Sequence, residues 1–419
     1  MGLLQTEARY GSKPQWNAAP RAIGLFDMAF LGFVFGFAMN LPRGLFELGG
    51  PPPIVFQTLF VGVAGLTILG RAAKGRPILE GEALRLLWPI LLWILAWLIL
   101  STLGVLMQGM HPEVIDYYTI RLKSPAILLL LLIGLSHLER KELFPMVLAA
   151  AAVVNALIVI YDFFVPTFST VINRAAGFFV NANGAGSALV LSMAAGLIGV
   201  PSRWRLPYLA IIAAAVVVTF SRSSWLALMT ATFILFWQGH VAFRRQRRVV
   251  GLAVLLTVAG IGLAILNGSL ADFIAATPLA EYLDANTLAR LGLGEFATDD
   301  SANERRGAVA YSLAAFAGFA NPFLGAGLGH TILWEFGTGP HNMFLLYLVE
   351  HGLVGLALYL TLLALLIFRS AGPGRVVGLG VLVFSFFTHN LLDSPWRLVM
   401  VAFAVFSPLL VPAERDAAP

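Results

Sequence analysis

His341 is the residue of this chain whose type and setting best suit it to move a proton. It follows a Gly-Pro turn and heads a long apolar run in GTGPHNMFLLYLVEHGLVGLALYL, residues 337–360. An imidazole titrates near neutral pH, so it can take a proton from an attacking hydroxyl. Four arginines sit in similar places at the edges of apolar runs. Arg174 lies in STVINRAAGFFVNANGAGSALVL, Arg222 in VVTFSRSSWLALM, and Arg305 and Arg306 in NERRGAVAYSLAAFAGFA. The planar guanidinium fork binds phosphate oxygens bidentately and keeps its proton. A base beside fixed cations suits a transfer in which a hydroxyl attacks and an anionic group departs.

The elements that must position these groups are membrane helices. Hydrophobic residues make up 59% of the 419 residues and charged ones 12%, with a mean hydropathy of +0.84, outside the range of soluble domains. A helical span needs about 20 apolar residues. Twelve such runs are legible, at roughly 22–41, 52–70, 84–107, 119–138, 143–165, 180–200, 207–221, 223–239, 249–266, 342–368, 374–392 and 395–412. Period-2 barrel patterning is missing. The expectation is therefore an all-α integral membrane protein of about 12 transmembrane helices, residues 1–419 forming one polytopic domain. Between spans nine and ten, residues 267–341 form an outsized loop, read as a lid carrying short amphipathic helices.

Lys and Arg in short loops place both termini on the cytoplasmic side. The basic FRRQRRVV, residues 243–250, is the strongest inside signal. Nine of the 27 basic residues then fall outside, namely Arg43, Arg121, Lys123, Arg174, Arg222, Arg290, Arg305, Arg306 and Arg397. Spans six, eight and ten begin on the outer side, where their N-terminal N–H groups favour anions. The net charge of +5 is mostly cytoplasmic anchoring and no argument for nucleic acid. There is no cysteine, which excludes disulfide and thiol chemistry. The first apolar run lies behind a polar segment and reads as a signal anchor rather than a cleaved leader.

Blander readings stand beside these. Arginines at helix ends also snorkel to headgroups. His341 could be a polar helix-start residue, or could join Asp299 and Asp300 at a metal, although clustered ligand spacing is missing. Ser221, Ser223 and Ser224 look like N-cap candidates. Glu350 lies nine residues beyond His341, about 900° of helix rotation and about 13 Å deeper. It therefore points to the opposite face, and it reads as bonding neighbouring helices, with His351 beside it in the same apolar run. Asp27, Asp162, His389 and Asp393 are polar groups near span ends, with Asp162 bearing on the outer site. GAGLG, residues 325–329, reads as a turn beside the site and not as a dinucleotide fingerprint.

Taken together, GFFVNANGAG, TFSRSS, NPFLGAGLG and HNMFLLYLVEHGLVGL resemble the O-antigen ligase and polymerase superfamily of bacterial envelope glycosyltransferases. The resemblance covers roughly residues 170–360 by motif and the rest by topology. It implies a GT-C-like fold and no cofactor or metal. It also implies an undecaprenyl pyrophosphate-linked glycan donor and, for the ligase branch, a lipid A-core acceptor at the periplasmic face of the Gram-negative inner membrane. By position the family's histidine falls on His341 and its arginines on Arg174, Arg222 and Arg306, with Arg305 the neighbouring choice. Asn342, Asn183 and Asp162 are possible accessory residues. Ala182 stands where the family's NPN segment has proline. The implied chemistry is attack by an acceptor hydroxyl, deprotonated by His341, with inversion at the anomeric carbon while arginines hold the pyrophosphate. A repeat-unit polymerase, or a ligase that glycosylates protein, would share base and fold. A transporter would instead show paired halves and broken helices near mid-membrane.

Overall fold

The computed structural model describes residues 23–75, 77–79, 81–170, 174–241, 300–336 and 339–411. Among them the chain is helical, without strands, because a backbone in hydrocarbon must bond to itself. In chain order the helices are α1 (Leu25–Ala38), α2 (Leu41–Glu47), α3 (Pro53–Ala73), α4 (Gly81–Gln108), α5 (Pro112–His137), α6 (Leu143–Phe164), α7 (Ala182–Gly196), α8 (Arg205–Val218), α9 (Arg222–Trp237), α10 (Asp300–Ala317), α11 (His330–Leu333), α12 (Met343–Phe368), α13 (Pro373–Ser385) and α14 (Pro395–Leu410). Six are long and apolar enough to cross a membrane, or seven if the bent pair α1–α2 is one span, while α13 and α14 are shorter apolar helices. The protein is a multi-pass membrane protein. The ninth expected span, 249–266, and the first expected loop helix, 271–291, lie outside the described residues.

At the centre runs α7, ANGAGSALVLSMAAG, most of whose residues are buried. It packs against α6, α8, α9, α13 and α14. Small residues let backbones approach closely where lipid offers no hydrophobic drive. A Cβ at Gly186 would lie 2.3 Å from Ser224 Oγ, and one at Gly196 would lie 2.6 Å from the backbone of Ala149. The amino end of α7 is thereby tied to the turn that carries Arg222. At the rim α3 is mostly exposed, as a lipid-facing helix is.

Two apolar segments are interrupted, one at the expected end of the first span and one inside a span expected to be continuous. The first span bends by 61° between α1 and α2, at Asn40 with φ +53°. The second break is inside α12, at Gly352 with φ +63° and ψ −157°. There the segment NPFLGAGLG, expected as a turn beside the site, enters the gap. Ala326 N donates to Val349 O and Gly327 N to Glu350 O, both at 2.9 Å, while Leu353 N donates to Pro322 O and Val354 N to Phe323 O at 3.0 and 3.1 Å. The break frees backbone groups that loop backbone then satisfies. The carboxy-terminal part of the long loop is thus wedged into the bundle.

Arg121 is a further correction. The hydropathy reading started its span at 119 and counted Arg121 among outward residues, whereas α5 begins at Pro112. Arg121 therefore sits nine residues into a helix and is 2% exposed.

Candidate active site

Residues from α6, α7, α8 and α9 gather where α6 and α8 end and α7 and α9 begin, while His341 stands at the start of α12. The foundation is Asp162, buried in the last turn of α6. Its Oδ1 accepts from Thr167 N and Phe168 N, each at 2.8 Å. Its Oδ2 accepts from Ala176 N at 2.8 Å and Gly177 N at 2.9 Å. With four backbone donors on one carboxylate, Asp162 shapes the segment that leads into and out of Arg174.

Arg174, 6% exposed, donates from Nε to Thr219 O at 3.0 Å and from a terminal nitrogen to Asn183 Oδ1 at 2.9 Å. The same nitrogen reaches Phe220 O at 3.5 Å. Arg174 therefore clamps the α8–α9 turn to the first turn of α7. Asn183 serves the clamp as acceptor, and Asn181 caps α7 by accepting from Asn183 N and Gly184 N. Arg222 opens α9 on the far side of that turn and is exposed. Ser221 holds the N-cap position, but its hydroxyl bonds Ser223 and Ser224 Oγ rather than backbone N–H groups.

His341 precedes α12. Asn342 is its N-cap, accepting from Leu345 N at 3.1 Å, so its side chain works for the helix. The His341 side chain is 33% exposed, with Nε2 3.9 Å from Glu304 Oε1 of α10. Burial first, and then the charge of half-buried Arg305, push the His341 pKa below that of an ordinary imidazole, while Glu304 opposes them. The imidazole is therefore neutral at pH 7, as a proton acceptor requires. Arg306, one position on, is exposed, and Arg305 is the arginine of that pair whose charge acts on His341. Asp299, invoked for the metal alternative, lies outside the described residues.

Backbone strain converges on the same end. Among described residues the non-glycine positions with positive φ are Asn40, Val180, Phe220 and His341. Left-handed backbone costs an L residue about 1–2 kcal/mol, and for a β-branched valine it is a marked outlier. Val180 precedes Asn181, Phe220 lies two residues before Arg222, and His341 is the candidate base itself. Strained residues of this kind gather at functional sites.

A chain of contacts joins the arginine cluster to His341. Phe179 meets Trp396 at 5.5 Å, edge to face. The Arg397 guanidinium lies 4.6 Å from the Trp396 ring centre, and Arg397 Nη1 donates to Asn390 Oδ1 at 2.7 Å. The neighbouring His389 meets His341 with ring centres 5.0 Å apart.

Beneath His341 lies a polar network that the sequence reading did not assemble. Arg121 Nη1 pairs with Asp393 Oδ1 at 2.8 Å, donates to the Tyr117 hydroxyl, and lies over the rings of Trp97 and Tyr117. Glu350 Oε1 accepts from Thr331 Oγ1 at 2.7 Å and Gly329 N at 3.2 Å. The expected structural role of Glu350 takes a specific form here, since it pins α11 beside the break in α12. The available signal was a set of ionisable residues inside apolar runs, but nothing local paired them.

Residues 207–360 match a protein family described as O-antigen ligase. That segment holds Arg222, Arg305, Arg306, His341 and Glu350, while Arg174, Arg121 and His389 lie outside it. No curated protein matches the chain. The match agrees with the resemblance carried by the motifs over residues 207–360.

Proposed function

We propose that this membrane protein of the O-antigen ligase type moves a preassembled glycan from undecaprenyl pyrophosphate to the lipid A-core oligosaccharide, at the periplasmic face of a Gram-negative inner membrane. The observation that carries this reading is His341 itself. It is held in left-handed backbone, partly exposed, neutral beside Arg305, and inside the segment that matches the family.

His341 takes the proton of the acceptor hydroxyl as that oxygen attacks the anomeric carbon. The bond from that carbon to the pyrophosphate oxygen breaks on the opposite side, which inverts configuration, and the pyrophosphate leaves as an anion. Arg222 and the Arg305–Arg306 pair hold it, fixed cations doing the work of charge neutralisation without reorganisation. Arg174 adds its charge and, through Thr219 and Phe220, aims the turn that presents Arg222. Asp162 in turn fixes Arg174. The segment 300–336 serves as the cap, with Glu304 of α10 3.9 Å from His341 Nε2 and the charge of Arg305 acting on the same ring.

The test incubates purified protein with a lipid pyrophosphate-linked glycan and lipid A core. A product in which glycan is joined to lipid A core is expected. Lengthened lipid-linked glycan instead would make the protein a polymerase, and no new product would overturn the reading.

A further inference from the structure

His389 lies on the loop between α13 and α14, outside the segment that matches the family, and no step above uses it. Its ring centre is 5.0 Å from that of His341, with the planes 73° apart, edge to face. At that separation a modest ring rotation brings a nitrogen of each within hydrogen-bond reach. The chain entering His341 passes directly over this imidazole. A Cβ on Gly339 would lie 2.7 Å from His389 Nε2 and 2.8 Å from Cε1, so any larger residue there would push the ring aside.

The loop beneath His389 is anchored from two helices. Asn390 accepts from Arg397 of α14 and from Thr388 Oγ1, and Asp393 pairs with Arg121 of α5. His389 Nδ1 is buried without a hydrogen-bond partner among the described residues. A buried, unsatisfied imidazole nitrogen is costly, and an adjustable neighbour ring gives it a use.

We propose that His389 is a positioning residue for His341, holding its ring edge-on and accepting a hydrogen bond from the N–H of His341 once that ring is protonated. This inference rests on the reading of His341 as the base. The proton moves once, from the acceptor hydroxyl to His341, and His389 only accepts the hydrogen bond from the resulting imidazolium. For that, His389 must itself stay neutral. Burial, His341, Arg121 and Arg397 together push its pKa down to about 4, so it remains an acceptor throughout the working range. The charged groups facing the pair are Glu304 and Arg305 from α10 on the His341 side, and Arg121 from α5 and Arg397 from α14 on the His389 side.

A hydrogen bond to the protonated form raises a pKa, so loss of His389 lowers that of His341. In the full-length protein in lipid nanodiscs, the rate of carbethoxylation at His341 is followed against pH by peptide mass spectrometry. This reports the titration whether or not glycan transfer occurs. His389→Phe keeps a ring and removes both nitrogens, and its midpoint is expected to fall by about half a pH unit or more. His389→Ala, which demands no new space, moves it the same way, while His389→Gln restores an acceptor and brings it back toward wild type. In the transfer assay the Phe variant loses kcat by about tenfold with an unchanged donor KM, and its acid limb moves down. A His341 midpoint unmoved in both the Phe and Ala variants overturns the proposal and leaves His389 a packing residue. A shifted midpoint in a protein that makes no product sustains the histidine pair and overturns the glycosyl-transfer reading instead.

Discussion

Replacing Gly352 by alanine probes how the long loop is held over His341. Gly352 has φ +63° and ψ −157°, a region that only glycine adopts without strain. A Cβ there would lie 2.4 Å from both the carbonyl carbon and oxygen of Phe323, and 2.5 Å from Pro322 O. All are backbone atoms that cannot rotate away. The variant has two ways to respond. It can keep the loop docked, with about 1–3 kcal/mol of conformational strain plus three severe overlaps. Alternatively it can straighten α12 and expel residues 321–329, losing the four hydrogen bonds between the loop and the break at about 0.5–1.5 kcal/mol each. The second route sets the ceiling, so the expected destabilisation is about 2–6 kcal/mol. Undocking also releases Glu350 from Gly329 and Thr331, and with them the support of α10 over His341. Unfolding in detergent measures the stability, and limited proteolysis should show new cleavage between 318 and 336 with loss of transfer. Gly65→Ala is the control, because a Cβ there meets open space on α3 and alanine favours a helix by about 0.5–1 kcal/mol. A Gly352→Ala protein as stable and protease-resistant as wild type would refute the wedged-loop account.

His341→Ala should lower kcat by a factor of about 10² to 10⁴, the usual contribution of a positioned base, and His341→Gln should be nearly as inactive because it cannot take a proton; donor binding measured separately should barely change. The acid limb of the rate profile should fall below the ordinary imidazole value near 6.5, because burial and Arg305 favour the neutral ring. Arg305→Ala should therefore raise that limb and Glu304→Gln lower it, whatever either does to the maximum rate. Arg174→Lys retains the charge but cannot span Thr219 O and Asn183 Oδ1 together, so transfer should drop at least tenfold while the protein still folds, read by kcat beside a melting curve. Asp162→Asn sets an amide N–H₂ against two backbone donors, and at about 1–3 kcal/mol per unsatisfied buried group it should destabilise by about 2–6 kcal/mol; near-normal melting would remove Asp162 as the brace of the arginine segment.

Class and rough layout were legible in the chain because hydropathy is local. An apolar run of about 20 residues can cross a bilayer only as a helix or part of a barrel, whichever neighbours it finds, and α3, α4, α6 and α7 fall close to the runs that predicted them. The candidate base and arginines were legible too, since ionisable residues at the ends of apolar runs need a reason to be there. Composition could not say how those residues meet. Arg174 binds carbonyls 45 and 46 residues away, and Arg121 pairs with Asp393 across 272 residues. Nothing in the neighbourhood of either residue selects its partner. The break in α12 was hidden because GLVGL reads as ordinary apolar sequence. What interrupts α12 is the arrival of Pro322 to Gly327 from another part of the chain, and the helix yields at Gly352 because glycine alone accepts that backbone. His389 was seen only as a polar group near a span end, since its place at the site depends on how α13 and α14 pack against α5. Local physics therefore determined which segments are helices and where chemistry was possible, and long-range packing decided which side chains share a site.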